Sequence, residues 1–231
     1  MLFDLRSRRR RGAVRVIYLF LAIVMVAGLV LVGVGTGSNS GGLLNAFTNN
    51  GSSSGQNDAI TSEVGAALKA TKKHPGSAVA WSALIQARYS AAATGSNYDS
   101  TTDTYTAGGK KQLQYATDDW TKYLSLVAGK PDLNTSILMA RTYQDLSQWA
   151  PASTAWEYAA AVATGGASAA LSPFFCMALD SYAAGLTTKG NLASGEVKKL
   201  APALRKLSLE QTLKEAKASK TTAQEAVAQD C

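Results

Sequence analysis

Residues 16–34 read VIYLFLAIVMVAGLVLVGV, nineteen positions without a charge or a proline. As a helix this run is roughly 28 Å long, close to the ~30 Å hydrocarbon core of a bilayer, and it predicts a transmembrane helix over 16–35. A polar stretch rich in Gly, Ser and Asn follows over 36–57, the composition of a flexible linker. From residue 58 the pattern becomes helical. Asp58 is placed to cap a helix in which Ile60, Val64, Ala67, Leu68 and Thr71 fall on one face. Pro75 ends it, because the residue before a proline avoids the α region. A second helix is predicted from about 77 to 92, with Trp81, Leu84 and Ile85 on its apolar stripe, and a third near 110–128, with Leu113, Ala116, Trp120, Tyr123, Leu124 and Val127. Between them the insert at 90–109 is too polar and glycine-rich for a helix. Further helical patterns surround 136–143 and 152–159, then 173–184 and 192–207. Residues 208–231, rich in Lys, Glu, Gln and Ala, read as a polar C-terminal capping helix and tail.

Charge orients the apolar run. Arg6, Arg8, Arg9, Arg10, Arg11 and Arg15 precede it against one acid, Asp4. Such a cluster holds its side of the membrane in the cytoplasm. Residues 1–15 are therefore a basic cytoplasmic tail, and everything past the span lies outside the cytoplasm. The run is too long for the ~7–15-residue core of a cleaved signal peptide, and no A-x-A site follows it. The chain's net charge is +7, but residues 58–231 carry 17 Lys and Arg against 15 Asp and Glu, only +2. With no basic stripe interleaved with aromatics, nucleic-acid binding is not expected. The membrane contact is with lipid, through the anchor and its arginines. The two cysteines face an oxidising compartment, where a bridge is permitted. Cys176 sits in FFCMAL as a small hydrophobe and Cys231, the last residue, is expected to be mobile, so two unlinked thiols are the favoured reading.

A repeat organises the helical part. Ala116-x3-Trp120 recurs as Ala152-x3-Trp156, 36 residues later. Each step puts a small residue and a large aromatic on one helix face. Each is preceded by another helix carrying Ala-Arg beside a tyrosine: Ala87-Arg88-Tyr89 and Ala140-Arg141-Thr142-Tyr143. At these residues the chain resembles the tetratricopeptide repeat (TPR) family. Trp81, Leu84 and Ala87 match the first helix of one repeat, and Ala116 and Trp120 its second. Trp149, Ala152, Trp156 and Ala159 match in the next. The resemblance spans roughly 58–207; the insert stretches the first unit, Arg88 and Arg141 replace the usual aromatic, and the third unit lacks the aromatic on its second helix. It implies an all-α fold: one transmembrane helix followed by an extracytoplasmic solenoid of antiparallel helix hairpins, each covering its neighbour. It also implies a concave groove, lined by first helices, that binds a protein or peptide. By register the groove-facing positions are Ser82, Gln86, Tyr89, Thr135, Met139, Thr142, Met177 and Asp180.

Chemistry beyond binding finds little support. The one histidine, His74, precedes Pro75 and has no motif partner. Asn97, Asp99, Thr101 and Asp103 alternate as oxygen ligands do in calcium loops, but Thr102 and Gly108 stand where the required Gly and Glu would be. A loop held by Asx and Ser/Thr turns is expected instead. Neither a metal nor a cofactor is predicted, and the chain is not expected to be an enzyme. Two function classes remain. One is a membrane-anchored scaffold holding a protein partner outside the cytoplasm. Its layout resembles that of the single-pass ancillary subunit of the bacterial Sec translocon, which implies the translocon or exported chains as partners and the bacterial cytoplasmic membrane as location. The other is a cell-envelope enzyme, or an accessory docked to one through its repeats.

Overall fold

The computed structural model describes residues 53–164 and 166–231. The arginine cluster, the apolar run and most of the linker lie outside the described residues. Among the described residues no helix is long and apolar enough to cross a membrane. The fold there is all-α, with helices α1 (Ser53–Lys73), α2 (Ala78–Ala92), α3 (Ala107–Leu126), α4 (Leu133–Asp145), α5 (Trp149–Val162), α6 (Ala167–Ala183), α7 (Thr187–Leu200), α8 (Ala203–Ala218) and α9 (Lys220–Asp230). A 3₁₀ turn and two short strands, β1 (Tyr98–Asp99) and β2 (Thr104–Tyr105), occupy the insert between α2 and α3. Consecutive helices pack as antiparallel neighbours: α2 on α3, α4 on α5, α5 on α6, α6 on α7.

Local chemistry sets most boundaries. Ser77, Thr106, Asp132 and Ser219 each sit at an N-cap, where the side-chain oxygen accepts a backbone N–H that the helix leaves unpaired. Asp132 accepts from Thr135 N at 2.9 Å and is held in turn by the Tyr123 hydroxyl, which donates to it at 2.6 Å. Gly185 closes α6 with φ +79°, a conformation that favours glycine, and the Leu186 N–H folds back onto the Ser181 carbonyl.

Three boundaries differ from the sequence reading. Helix α1 starts at Ser53, inside the expected linker, so Asp58 lies within it rather than capping it. Helix α6 starts at Ala167; Pro173 falls inside it and forgoes one backbone bond while staying buried. The single helix expected over 192–207 is broken, because Ala201 precedes Pro202 and is extended (φ −66°, ψ 128°). The chain restarts as α8 and breaks again at Ser219, which is extended and caps α9. The C-terminal segment is thus a fourth hairpin.

The small–large step holds the stack together. Ala116 and Trp120 on α3, and Ala152, Trp156 and Ala159 on α5, are all buried. Trp149 starts α5 half-buried, and Trp81 on α2 donates its indole N–H to the Pro75 carbonyl at 2.9 Å. The step continues past the two units visible in the sequence, as Ala193-x3-Val197 on α7 and Ala223-x3-Val227 on α9, all four buried. Trp120 stacks on Tyr123 and meets Tyr158 of α5 edge-on, with ring centroids 6.2 Å apart, which joins the second helices of adjacent hairpins. The first helices are joined by polar side chains: Ser82 to Thr135 across α2 and α4 at 2.8 Å, and Gln144 to Asp180 across α4 and α6 at 2.9 Å.

Cys231 is not loose. It is disulfide-bonded to Cys176, tying the end of α9 to the middle of α6. Across a sequence separation of 55, such a closure stabilises by about 4 kcal/mol if its effect is mainly on the unfolded chain.

Replacing Trp120 or Trp156 by Ala is expected to lower unfolding free energy by about 3–5 kcal/mol, measured by urea denaturation. Wild-type midpoints in both variants would show that the two steps carry no packing.

Candidate partner-binding site

The eight groove candidates separate by burial. Thr135, Met139, Thr142, Met177 and Asp180 are buried, so a partner docking on this conformation does not reach them. Ser82 and Tyr89 are half-buried, and Gln86 is exposed. The surface these three offer lies on α2, the helix that leads into the insert.

The insert is built to sit there. Asn97 donates to the Ala91 carbonyl at 2.8 Å, and its own carbonyl accepts the Thr106 N–H at 2.9 Å. The α3 backbone comes so close at Gly109 that a Cβ would run into the Asn97 carbonyl. Tyr98 pairs with Tyr105 in the two-residue ladder, their rings edge-to-face at 5.2 Å. At the tip, Asp99 Oδ1 accepts the backbone N–H groups of Thr101 and Thr102, an Asx turn. Tyr98 donates its hydroxyl to Asp103. Those bonds hold the Asp99 carboxyl below its usual range, the Thr101 N–H contributing most, while the bond to Asp103 raises Tyr98. Among the described residues no cluster of three or more His, Cys, Asp or Glu is placed to hold a metal.

Tyr105 reaches from the insert onto the helices. Its hydroxyl lies against both the Tyr89 hydroxyl of α2 and the Asp145 carboxyl of α4, and burial followed by the Asp145 charge pushes its pKa up. The same two causes raise Tyr89. Burial pushes Asp145 up to about 6, against the lowering effects of the Tyr105 hydroxyl and the Arg141 charge. Its Oδ2 is buried without a hydrogen bond. Arg141 is exposed beside this cluster. Tyrosine and arginine around an excluded carboxylate are the residue types that carry binding energy at protein interfaces. The sequence held one clue, the near-symmetric YDSTTDTY with tyrosines seven apart, but which helices the hairpin would cover was not in the pattern.

A cleft of about 420 Å³ lies between Ile60, Val64 and Leu68 of α1 and Thr94, Asn97 and Gln112. Close by, Arg88 donates to Asp119 of α3 at 2.5 Å, and its guanidinium lies 4.8 Å from the Tyr115 ring centroid. Burial still outweighs Arg88 and raises Asp119. His74 is exposed in the α1–α2 turn.

Asp180 is the deepest acid. Burial pushes its pKa up to about 7, against the lowering effects of the Gln144 amide and the Trp156 indole. Its Oδ1 and the Trp156 Nε1 make no hydrogen bond of normal geometry. Of the three raised acids, Asp119 is paired with Arg88, and Asp145 and Asp180 each sit in a structural contact between helices rather than facing an open cavity together. No protein-family profile, curated protein or solved structure matches the chain.

A carboxylate whose folded pKa lies above its unfolded value binds its proton more tightly when folded, so its contribution is most favourable below about pH 4 and is lost as pH rises to about 7. Asp180→Asn is expected to raise the melting temperature at pH 7.5 and to change it little at pH 4, measured by thermal circular dichroism. An equal shift at both values would exclude titration of Asp180 as the cause.

Proposed function

We infer that the chain is a membrane-tethered, TPR-like scaffold that binds a protein or peptide on the extracytoplasmic side of the membrane. The observation that carries this reading is the ordered stack of hairpins, with first helices meeting at Ser82–Thr135 and Gln144–Asp180 and second helices at Trp120–Tyr158. That is the arrangement the repeat resemblance implies, and Gln86 and Arg141, which are exposed, with the half-buried Tyr89 and Tyr105, are the side chains a partner would meet. The tether is the apolar run at 16–34, oriented by its arginines. The Cys176–Cys231 bond supports the extracytoplasmic placement, because disulfides persist in oxidising compartments and are rare in the cytosol. Exported chains, or the translocon that delivers them, fit a scaffold so placed. No observation favours an active site, which leaves the envelope-enzyme reading with accessory docking as its stronger form.

Photocrosslinking residues at Gln86 and Arg141 in the full-length, membrane-inserted protein test the reading. Adducts with translocon subunits or many exported proteins are expected. One dominant envelope enzyme would replace the secretion role with a dedicated accessory one, and no protein adduct from either site would reject this surface. Alkylation of thiols in intact cells, before and after reduction, tests the compartment. Both cysteines are expected to be blocked until reduction, whereas immediate labelling of both would place the domain in the cytosol.

A further inference from the structure

We propose that the α7–α8 corner is a membrane-contact tip that docks on anionic lipid headgroups. Residues 202–208, PALRKLS, are exposed one after another, and α8 is buried in the domain only from Leu209 onward. The first turns of α8 therefore project from the body. They carry two large apolar side chains with almost nothing against them: Leu204 is 101% exposed and Leu207 81%. Three residues apart on a helix, the two share a face. Around them stand Lys198, Lys199, Arg205 and Lys206, all exposed, with two acids, Glu196, which Lys199 pairs at 2.7 Å, and Glu210, one turn further along α8.

Charge selects the occupant. The stretch 196–208, EVKKLAPALRKLS, is +3, while residues 58–231 together are only +2. The rest of the domain is thus −1, and its positive charge is concentrated where its most exposed leucines are. A second copy would bring a like charge to the same point. The N-terminal tail carries six arginines and is repelled as well. An anionic bilayer surface satisfies both parts: headgroups attract the cations, and the two leucines enter the interface. Lys and Arg stems lie along the apolar contact while their charges stay in the headgroups. The tip rests on the membrane tether proposed above; with α1 starting at Ser53, the linker is residues 36–52, which as a flexible chain spans roughly 23 Å. The contact would fix which face of the scaffold turns away from the membrane.

The test uses the full chain reconstituted into vesicles of phosphatidylcholine alone, or with phosphatidylglycerol, with a fluorescent amino acid introduced at Ala203. Quenching by a lipid-borne quencher is expected to be at least about fivefold greater in the anionic vesicles. It should fall to the neutral-vesicle level in Leu204→Ser/Leu207→Ser, and in Lys198→Gln/Lys199→Gln/Arg205→Gln/Lys206→Gln. All six side chains are exposed, so the folded domain tolerates these changes. Equal quenching in both lipids, or quenching that survives both variants, overturns the proposal, as does protection of the probe by a bound protein in place of lipid. A carbonate wash separates this from the tether: a retained chain without quenching removes the tip alone, and a released chain that had been quenched supports the tip and removes the tether.

Discussion

Helix α6 constrains everything around it. From Leu171 to Ala183 only Ser172 and Phe174 escape full burial. A helix apolar on all sides must be covered on all sides, and a two-layer stack covers only part of it. The chain meets this by continuing past α7. Helices α8 and α9 fold back so that α9 lies along α6, and the Cys176–Cys231 bond fixes the last residue of the chain to the centre of the helix it covers. The fourth hairpin is therefore part of the core, and its outer corner, free of packing duty, is left to project.

The stack is joined in two different ways. Second helices meet through apolar steps, a small residue admitting the neighbour and a larger one filling the space beside it. First helices meet through polar side chains, and there the acids Asp145 and Asp180 are held in surroundings that favour their protonated forms. Such contacts contribute less stability than apolar packing of the same volume. What they supply is register: the Ser82–Thr135 bond sets α2 against α4, and the Gln144–Asp180 bond sets α4 against α6.

Much of this was legible in the sequence. The helical class, the first two hairpins, the buried alanine–tryptophan steps and the Asx-turn loop follow from periodicity, proline positions and turn residues. The third hairpin was expected at 173–184 and 192–207 and is present with shifted ends; the fourth did not stand out, because Val227 replaces the aromatic and the spacing of the steps drifts from 36 to 41 and then 30 residues. Pro202 and the Ser219 cap marked the extra helix breaks, but the alanine- and lysine-rich flanks read equally well as one helix. The groove positions were assigned by register as if each first helix kept an open face. Met139, Thr142, Met177 and Asp180 are instead enclosed, and Tyr105 reaches Tyr89 and Asp145 from the insert. Cys231 looked mobile as a terminus because nothing local showed that α9 returns to α6. The expected membrane span and the arginines before it lie outside the described residues.

The most direct measurement is amide hydrogen exchange of the full chain with its disulfide formed, against Cys231→Ser. If the fourth hairpin is the cover that α6 requires, losing the bond should speed exchange in α9 and, with it, the amides between Leu171 and Ala183. If α9 exchanges freely while α6 keeps its full protection, α6 is stable without that cover, and the dependence of the stack on its fourth hairpin is contradicted.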